Sequence, residues 1–337
     1  MFNNISHRIA VLLGLFVLTG CRSASTTVEP AATVFQPTTT PTVTASPVVL
    51  PPTATLTSTP TPFIPSPTPI QKLSGPYLGQ EPPGMEPKLF APGLVSNPDS
   101  HEYSGSFSPD GSEYYFYRFS DDSPSRLFLS KQEDGLWTLP EEPGFSAGMT
   151  ACEPYVTADN QRLYFATLDF PVPSTHPSGL PAYVFVDRTQ NGWTEPQYAG
   201  QGMFISSSLD GQIYTTDMST RNRDGKTYLA KVSVTDGRFM AYEQLAIQPH
   251  WGKQAHPCIA LDGSYILFDV EDGRHLLVSF KSEDGSWGEA IDLTRHGFDP
   301  MAGGAYISPD GKYLFFALGG DIWWVDIRVI EDLRPGE

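Results

Sequence analysis

Glu153 and His256 are the two residues whose types suit acid–base work and whose places in the chain correspond. A carboxylate and an imidazole held together could pass a proton to and from a substrate. With His250 and His101 they could instead ligate a metal ion. Each stands six residues ahead of an aspartate that opens a tight turn, Asp159 and Asp262 respectively. Ser104, Phe204 and Gly304 hold the same place ahead of Asp110, Asp210 and Asp310. The plainer reading makes all five rim residues, bonded to backbone and water. No zinc-like spacing or paired-carboxylate motif supports more, so no catalytic residue, metal or cofactor is assigned.

Other side chains near these positions could serve binding. Glu102, Tyr103, Trp251 and Met301 lie beside the five. Arg221 and Arg223, with Arg118 and Arg274 in comparable loops, could grip an anion, although solvated arginines offsetting local acid explain them as well. The candidate ligand-binding set is therefore Glu102, Tyr103, Glu153, Arg221, Arg223, Trp251 and His256. Several motifs fail on inspection. "SEDGSWG" approaches the sialidase Asp-box, but Gly285 directly follows Asp284 where the box needs an intervening residue. No nucleophile elbow, phosphate-cradling glycine loop or calcium loop occurs.

What must position these residues is a repeat. Asp110, Asp159, Asp210, Asp262 and Asp310 follow one another at intervals of 49, 51, 52 and 48 residues. The surrounding phrases read "FSPDGSEYYFYR", "VTADNQRLYFAT", "SSLDGQIYTTD", "IALDGSYILFDV" and "ISPDGKYLFFAL". Each joins two apolar strands through Asp-Gly or Asp-Asn, where aspartate accepts local amide bonds and the next residue takes positive φ. A third strand follows, then a second tight turn and a short fourth strand. Trp137, Trp193 and Trp287 come after those second turns at equivalent positions, which marks them as packing residues. Four strands per unit of this period predict a propeller blade.

Strands such as Tyr313-Leu314-Phe315-Phe316 are apolar on both faces, as burial between two neighbouring blades requires. The fifth unit runs out of chain after three strands, and "EPKLFAPGLVS" at residues 86–96 resembles a fourth-strand phrase. The expected fold is all-β: a five-bladed propeller of four-stranded antiparallel blades, residues 86–337, whose last blade is closed by an N-terminal strand. The repeats resemble the WD-like propeller repeats of bacterial envelope proteins, which carry "SPDG" before an aromatic strand. They are similar in this to the propeller of the periplasmic Tol system. Units two, three and four depart from the phrase, with "TADN", "SLDG" and "ALDG". In a propeller the Asp-turns share one face, and the longer, variable loops share the other. The loop face is the expected working surface.

The N-terminus reads as export machinery. An apolar run from Ile9 to Leu18, behind Arg8, is too short to span a bilayer. It ends in Leu18-Thr19-Gly20-Cys21, which resembles a lipoprotein lipobox. That resemblance implies a signal peptide over residues 1–20 and lipid on Cys21, hence a membrane partner. Residues 21–85 read as a Pro/Thr-rich disordered stalk of extended polyproline character. Residues 1–85 carry a net charge of +1, which leaves −18 of the total −17 on the remainder. Such a surface disfavours nucleic acid. Cys152 and Cys258 stand in non-equivalent places in blades two and four, too far apart for a disulfide. The composite expectation is a monomeric, extracytoplasmic, lipid-anchored binding module for an envelope protein, peptide or glycan. The alternative is a glycan-active hydrolase or lyase using the central pocket.

Overall fold

The computed structural model describes residues 73–250, 252–270 and 275–336. Cys21, the expected signal peptide, most of the expected stalk, Trp251 and Arg274 lie outside the described residues.

Each Asp-turn organises a hairpin in the same way. Asp110 Oδ1 accepts from Ser108 Oγ at 2.6 Å and from the Ser112 amide at 3.0 Å. Asp159, Asp210 and Asp310 repeat this with the hydroxyl two residues before and the amide two after. Asp262 keeps the amide bond alone of that pair, from Ser264 at 2.9 Å. The turn is thus closed by its own side chains before any tertiary contact forms.

Five antiparallel sheets result. Blade I comprises β2 (His101–Phe107), β3 (Glu113–Ser120), β4 (Ser123–Glu133) and β5 (Leu136–Trp137). Blade II comprises β6 (Ala151–Val156), β7 (Arg162–Thr167), β8 (Ala182–Thr189) and β10 (Gln197–Gln201), with the two-residue β9 (Gly192–Trp193) also on β8. Blade III runs through β11 (Ile205–Ser207), β12 (Ile213–Asp217), β13 (Tyr228–Thr235) and β14 (Arg238–Gln244). Blade IV holds β15 (Gln254–Ile259), β16 (Tyr265–Val270), β17 (Leu276–Phe280) and β18 (Ile291–Asp292). Blade V holds β19 (Gly303–Ile307), β20 (Tyr313–Leu318) and β21 (Asp321–Asp326), and β1 (Lys88–Leu89) is its fourth strand. The innermost strands β2, β6, β11, β15 and β19 touch in ring order. This is the five-bladed propeller that the repeat predicts.

The core lies between blades. One apolar cluster fills each of the five interfaces, and alternate residues of a strand go to opposite clusters. On β20, Leu314 and Phe316 pack toward blade IV, whereas Tyr313 and Phe315 pack toward blade I. On β3, Tyr114 and Phe116 face blade V while Tyr115 and Tyr117 face blade II. That explains the unbroken apolar runs: neither flank of a blade meets water.

Closure follows expectation and extends further. Lys88 pairs with Trp324 and Leu89 with Trp323, and the Phe90 amide donates to the Ile322 carbonyl at 2.8 Å. Part of the stretch just before residue 86 also touches the propeller. Leu78 is fully buried in the cluster between blades V and I. Trp137 donates its backbone amide to the Leu73 carbonyl and its indole Nε1 to the Gly75 carbonyl, both at 2.8 Å. An apolar residue at position 78 and an aromatic at 77 outweigh the polar, proline-containing composition of this stretch. Cys152 and Cys258 are free thiols, and burial pushes the Cys258 thiol up to about 12.

Candidate functional site

Four of the five residues that stand six before a turn aspartate, all but Ser104, mark a shared backbone event at the innermost strands. Glu153, Phe204, His256 and Gly304 all take the left-handed conformation, with φ of 54°, 60°, 52° and 59°. Pairing slips at three of these places, between Cys152 and Tyr155, Ala255 and Cys258, and Gly303 and Tyr306. A bulge residue in this conformation is uncommon for side chains other than glycine and persists only where its surroundings hold it. Here the holding contact comes from the preceding blade. The Phe204 amide donates to Glu153 Oε2 at 2.8 Å, the His256 amide to Thr216 Oγ1 at 3.1 Å, and the Gly304 amide to Asp269 Oδ2 at 2.9 Å.

Side-chain bonds engage Glu153 through Oε2 and His256 through Nδ1. Glu153 also accepts from the buried Tyr183 hydroxyl at 2.6 Å. His256 Nδ1 lies 2.8 Å from both oxygens of Asp269, itself 2 % exposed. The His256 ring packs edge-on to Phe204 at 5.0 Å and Tyr103 at 5.6 Å. Tyr103 in turn closes over Gly304, where an added Cβ would fall 2.7 Å from its Cε1. Aromatic rings from blades I, III and IV therefore stopper the loop end of the axis. Asp269, Thr216 and Tyr183 are the partners that sequence reasoning missed. Asp269 carried one signal: a lone charge ending the apolar strand "YILFDV", which burial obliges to find a partner.

The remaining candidates scatter. Glu102 is fully buried, where it binds Arg118 Nε at 2.6 Å, Ser100 Oγ at 2.8 Å and the Asn97 amide at 3.2 Å. Burial raises its carboxyl above the usual glutamate range, against the lowering pull of Arg118 and Ser100. Arg118 also donates to the Leu94 and Val95 carbonyls, so this pair fastens the closing segment to blade I. Arg221 and Arg223 lie on a short helix, Arg221–Asp224, in the β12–β13 loop, and the Arg223 side chain is largely exposed 3.5 Å from Asp224. The His250 ring packs tilted against Tyr228 at 4.5 Å and the His101 ring against Phe119 at 5.3 Å. Among the described residues no group of three or more His, Cys, Asp or Glu is placed to hold a metal ion.

Open space lies at the other end of the axis. An axial pit of about 80 Å³ is rimmed by Pro109, Ala158, Leu209, Leu261 and Pro309, the residue before each turn aspartate. Tyr155, Cys258 and Tyr306 line its wall. The Tyr155 hydroxyl and Ser207 Oγ share a hydrogen bond at 2.5 Å, and the Tyr306 hydroxyl accepts the Phe107 amide at 3.0 Å. Beside the pit, across Pro109 and Pro309, opens a groove of about 410 Å³ walled by Tyr77, Gln132, Asp110 and Asp310. Both cavities belong to the Asp-turn face, opposite the long loops from which the sequence argument expected binding.

By sequence, no family model and no curated protein matches the chain. Solved structures similar in fold include TolB from Acinetobacter baumannii, at 14% identity over 67% of this chain and TM-score 0.43. The chain spans 54% of that structure's length. The periplasmic gluconolactonase PpgL from Pseudomonas aeruginosa is 16% identical over 64% of each chain, with TM-score 0.38. A gluconolactonase from Xanthomonas campestris is 14% identical over 75% of this chain and 96% of its own, with TM-score 0.39. At these identities the likeness concerns the propeller fold alone.

Proposed function

We propose that the chain is an extracytoplasmic propeller, held to a cell membrane or outer membrane by lipid on Cys21, that acts as a non-catalytic binding module. Its partner on this reading is an envelope protein, a peptide or a glycan. One observation supports it above others: Glu153 and Asp269, the acids beside the candidate site, each hold a backbone amide of the next blade as well as a partner within their own. Glu153 accepts from Tyr183 and Phe204, and Asp269 accepts from His256 and Gly304. A general base needs a lone pair within reach of substrate. The open pit, by contrast, has an apolar rim and hydroxyls engaged with protein.

A second reading, a glycan hydrolase or lyase, draws on the buried His256–Asp269 pair, since a carboxylate on Nδ1 is how an imidazole base is oriented. The two separate in one assay series. The full chain is incubated with envelope polysaccharides and aldonolactones beside Glu153→Gln and His256→Asn variants whose urea unfolding matches the parent. No turnover by any of the three is the expected outcome. Turnover that either substitution abolishes overturns the binding reading.

A further inference from the structure

The structure assigns the Asp-turn face, and not the long-loop face, to a partner: the axial pit with its adjoining groove takes an extended peptide segment of another protein, with an aliphatic side chain next to lysine or arginine. This inference rests on the binding reading above and names its surface and ligand class.

Three observations carry it. The rim of the pit is apolar in all five blades; Pro109 and Pro309 are ordinary turn residues, but Ala158, Leu209 and Leu261 hold the same place where turn chemistry favours proline or polar side chains. Leu209 is 67 % exposed, the largest exposure among the large apolar side chains of the described residues. A volume of about 80 Å³ is roughly half that of the engineered cavity of ~150 Å³ that takes benzene, which suits one aliphatic side chain.

The groove continues the pit on the side of blades I and V. Pro109 and Pro309 belong to both, so a chain crossing that sill keeps one side chain in the pit and the next residues between Asp110 and Asp310. Tyr77 forms the outer wall, fixed by its hydroxyl donating to Asp310 Oδ1 at 2.6 Å. The groove is therefore built, with walls that do not need to order on binding.

Charge selects the occupant. All five turn aspartates sit below the ordinary aspartate range. Burial raises each of them, as the largest single effect in all but Asp210, yet the hydrogen bonds from flanking hydroxyls and amides together prevail. Cations are present, but Arg188 is spent on Glu113 and Arg162 on Asp187. The lining residues of the groove include two carboxylates, Asp110 and Asp310, and no basic side chain, and Lys312 Nζ meets Asp310 Oδ2 from outside at 3.0 Å. A domain carrying −18 repels a second copy of itself and attracts a basic segment.

The test measures fluorescence anisotropy of two labelled peptides, acetyl-Lys-Leu-Lys-Leu-Lys-amide and its glutamate counterpart, titrated with the full chain. Expected are saturable binding of the lysine peptide, binding at least tenfold weaker for the glutamate peptide, and a loss of at least tenfold in both Leu209→Lys and Ala158→Lys. Both positions are exposed, so the variants should fold, and circular dichroism checks this. No saturable binding, equal affinity for the two peptides, or unchanged affinity in both variants overturns the surface. Each of those results leaves the binding reading standing, because only turnover refutes that. A concentration-dependent dimer in sedimentation, lost in Leu209→Lys, would put a second copy in the pit and overturn the basic-peptide assignment too.

Discussion

The carboxylate of Asp269 in blade IV accepts the backbone amide of Gly304 in blade V at 2.9 Å, while the same group holds His256 Nδ1 at 2.8 Å. One buried side chain thus serves two donors on two blades. Asp269→Ala leaves both unsatisfied, and each costs about 1–3 kcal/mol. We expect a loss of about 2–5 kcal/mol in urea unfolding, with Asp269→Asn falling between alanine and parent. If alanine unfolded like the parent, the inter-blade bond would have no energetic weight.

The joint between first and last segments is the second place where a small change should be felt widely. Phe90 is fully buried, with its ring edge-on to Phe107, Tyr114, Phe315 and Trp324 at 5.0–6.2 Å. Phe90→Ala should cost about 3–5 kcal/mol, the range for buried Phe→Ala. Leu168→Ala, at a position 46 % exposed, should stay within about 0.5 kcal/mol. Equal midpoints for the two in chemical denaturation would mean that the N-terminal strand does not lock the ring.

How much of this could be read from residues alone depends on the type of signal. The turn aspartates announced blade number and hairpins because their chemistry is local, complete within five residues. Leu314 and Phe315 announced burial on both flanks because strand periodicity is local too. The bulge at Glu153 and its bond to Phe204 connect residues of different blades, and nothing in either neighbourhood names the other. Glu102 looked like a rim acid for the same reason: its partner Arg118 is legible only once β2 and β3 pair. The apolar rim was in the sequence all along, at the position before each aspartate. It passed as turn composition because proline, alanine and leucine carry no chemistry of their own.

Glu102 and Arg118 make a third test. With the Glu102 side chain buried and Arg118 only 20 % exposed, removing one partner strands the other's charge. Arg118→Ala should cost about 3–5 kcal/mol and leave lysine-peptide affinity within twofold. A large affinity loss at unchanged stability would return Glu102 and Arg118 to the ligand site.

Acid should weaken the fold through the turns. Asp110, Asp159, Asp210, Asp262 and Asp310 are all depressed when folded, so their contribution is present above the unfolded aspartate value of about 3.9 and lost as pH falls through the folded values. Glu102, raised by burial, works in the opposite sense. Its contribution is present below the unfolded glutamate value of about 4.3 and lost as pH climbs through the folded one. Asp321 is raised by burial too, but Asp224, Asp284, Asp292 and Asp326 are lowered like the turn aspartates, and nine lowered groups against two raised predict a thermal midpoint that drops below about pH 4. Asp159→Asn keeps an acceptor for Thr157 and Gln161 but no titrating charge, and should show a shallower drop. A midpoint rising on acidification would reverse the assignment.

Anchoring is tested at Cys21. Burial of acyl chain contributes about 0.8 kcal/mol per CH₂, and one chain alone holds a protein only marginally. Retention in washed membranes therefore requires more than one chain or a second membrane signal. Residues 86–337 carry −18 against +1 on residues 1–85, so the propeller as a whole is repelled by an anionic leaflet. Lipid on Cys21 would have to carry the load. The parent chain should then stay with membranes through high-salt washing and leave them in detergent. Cys21→Ser should appear in the soluble exported fraction or persist with its leader uncleaved. Parent and variant partitioning alike would remove Cys21 as the anchor, whatever the propeller binds.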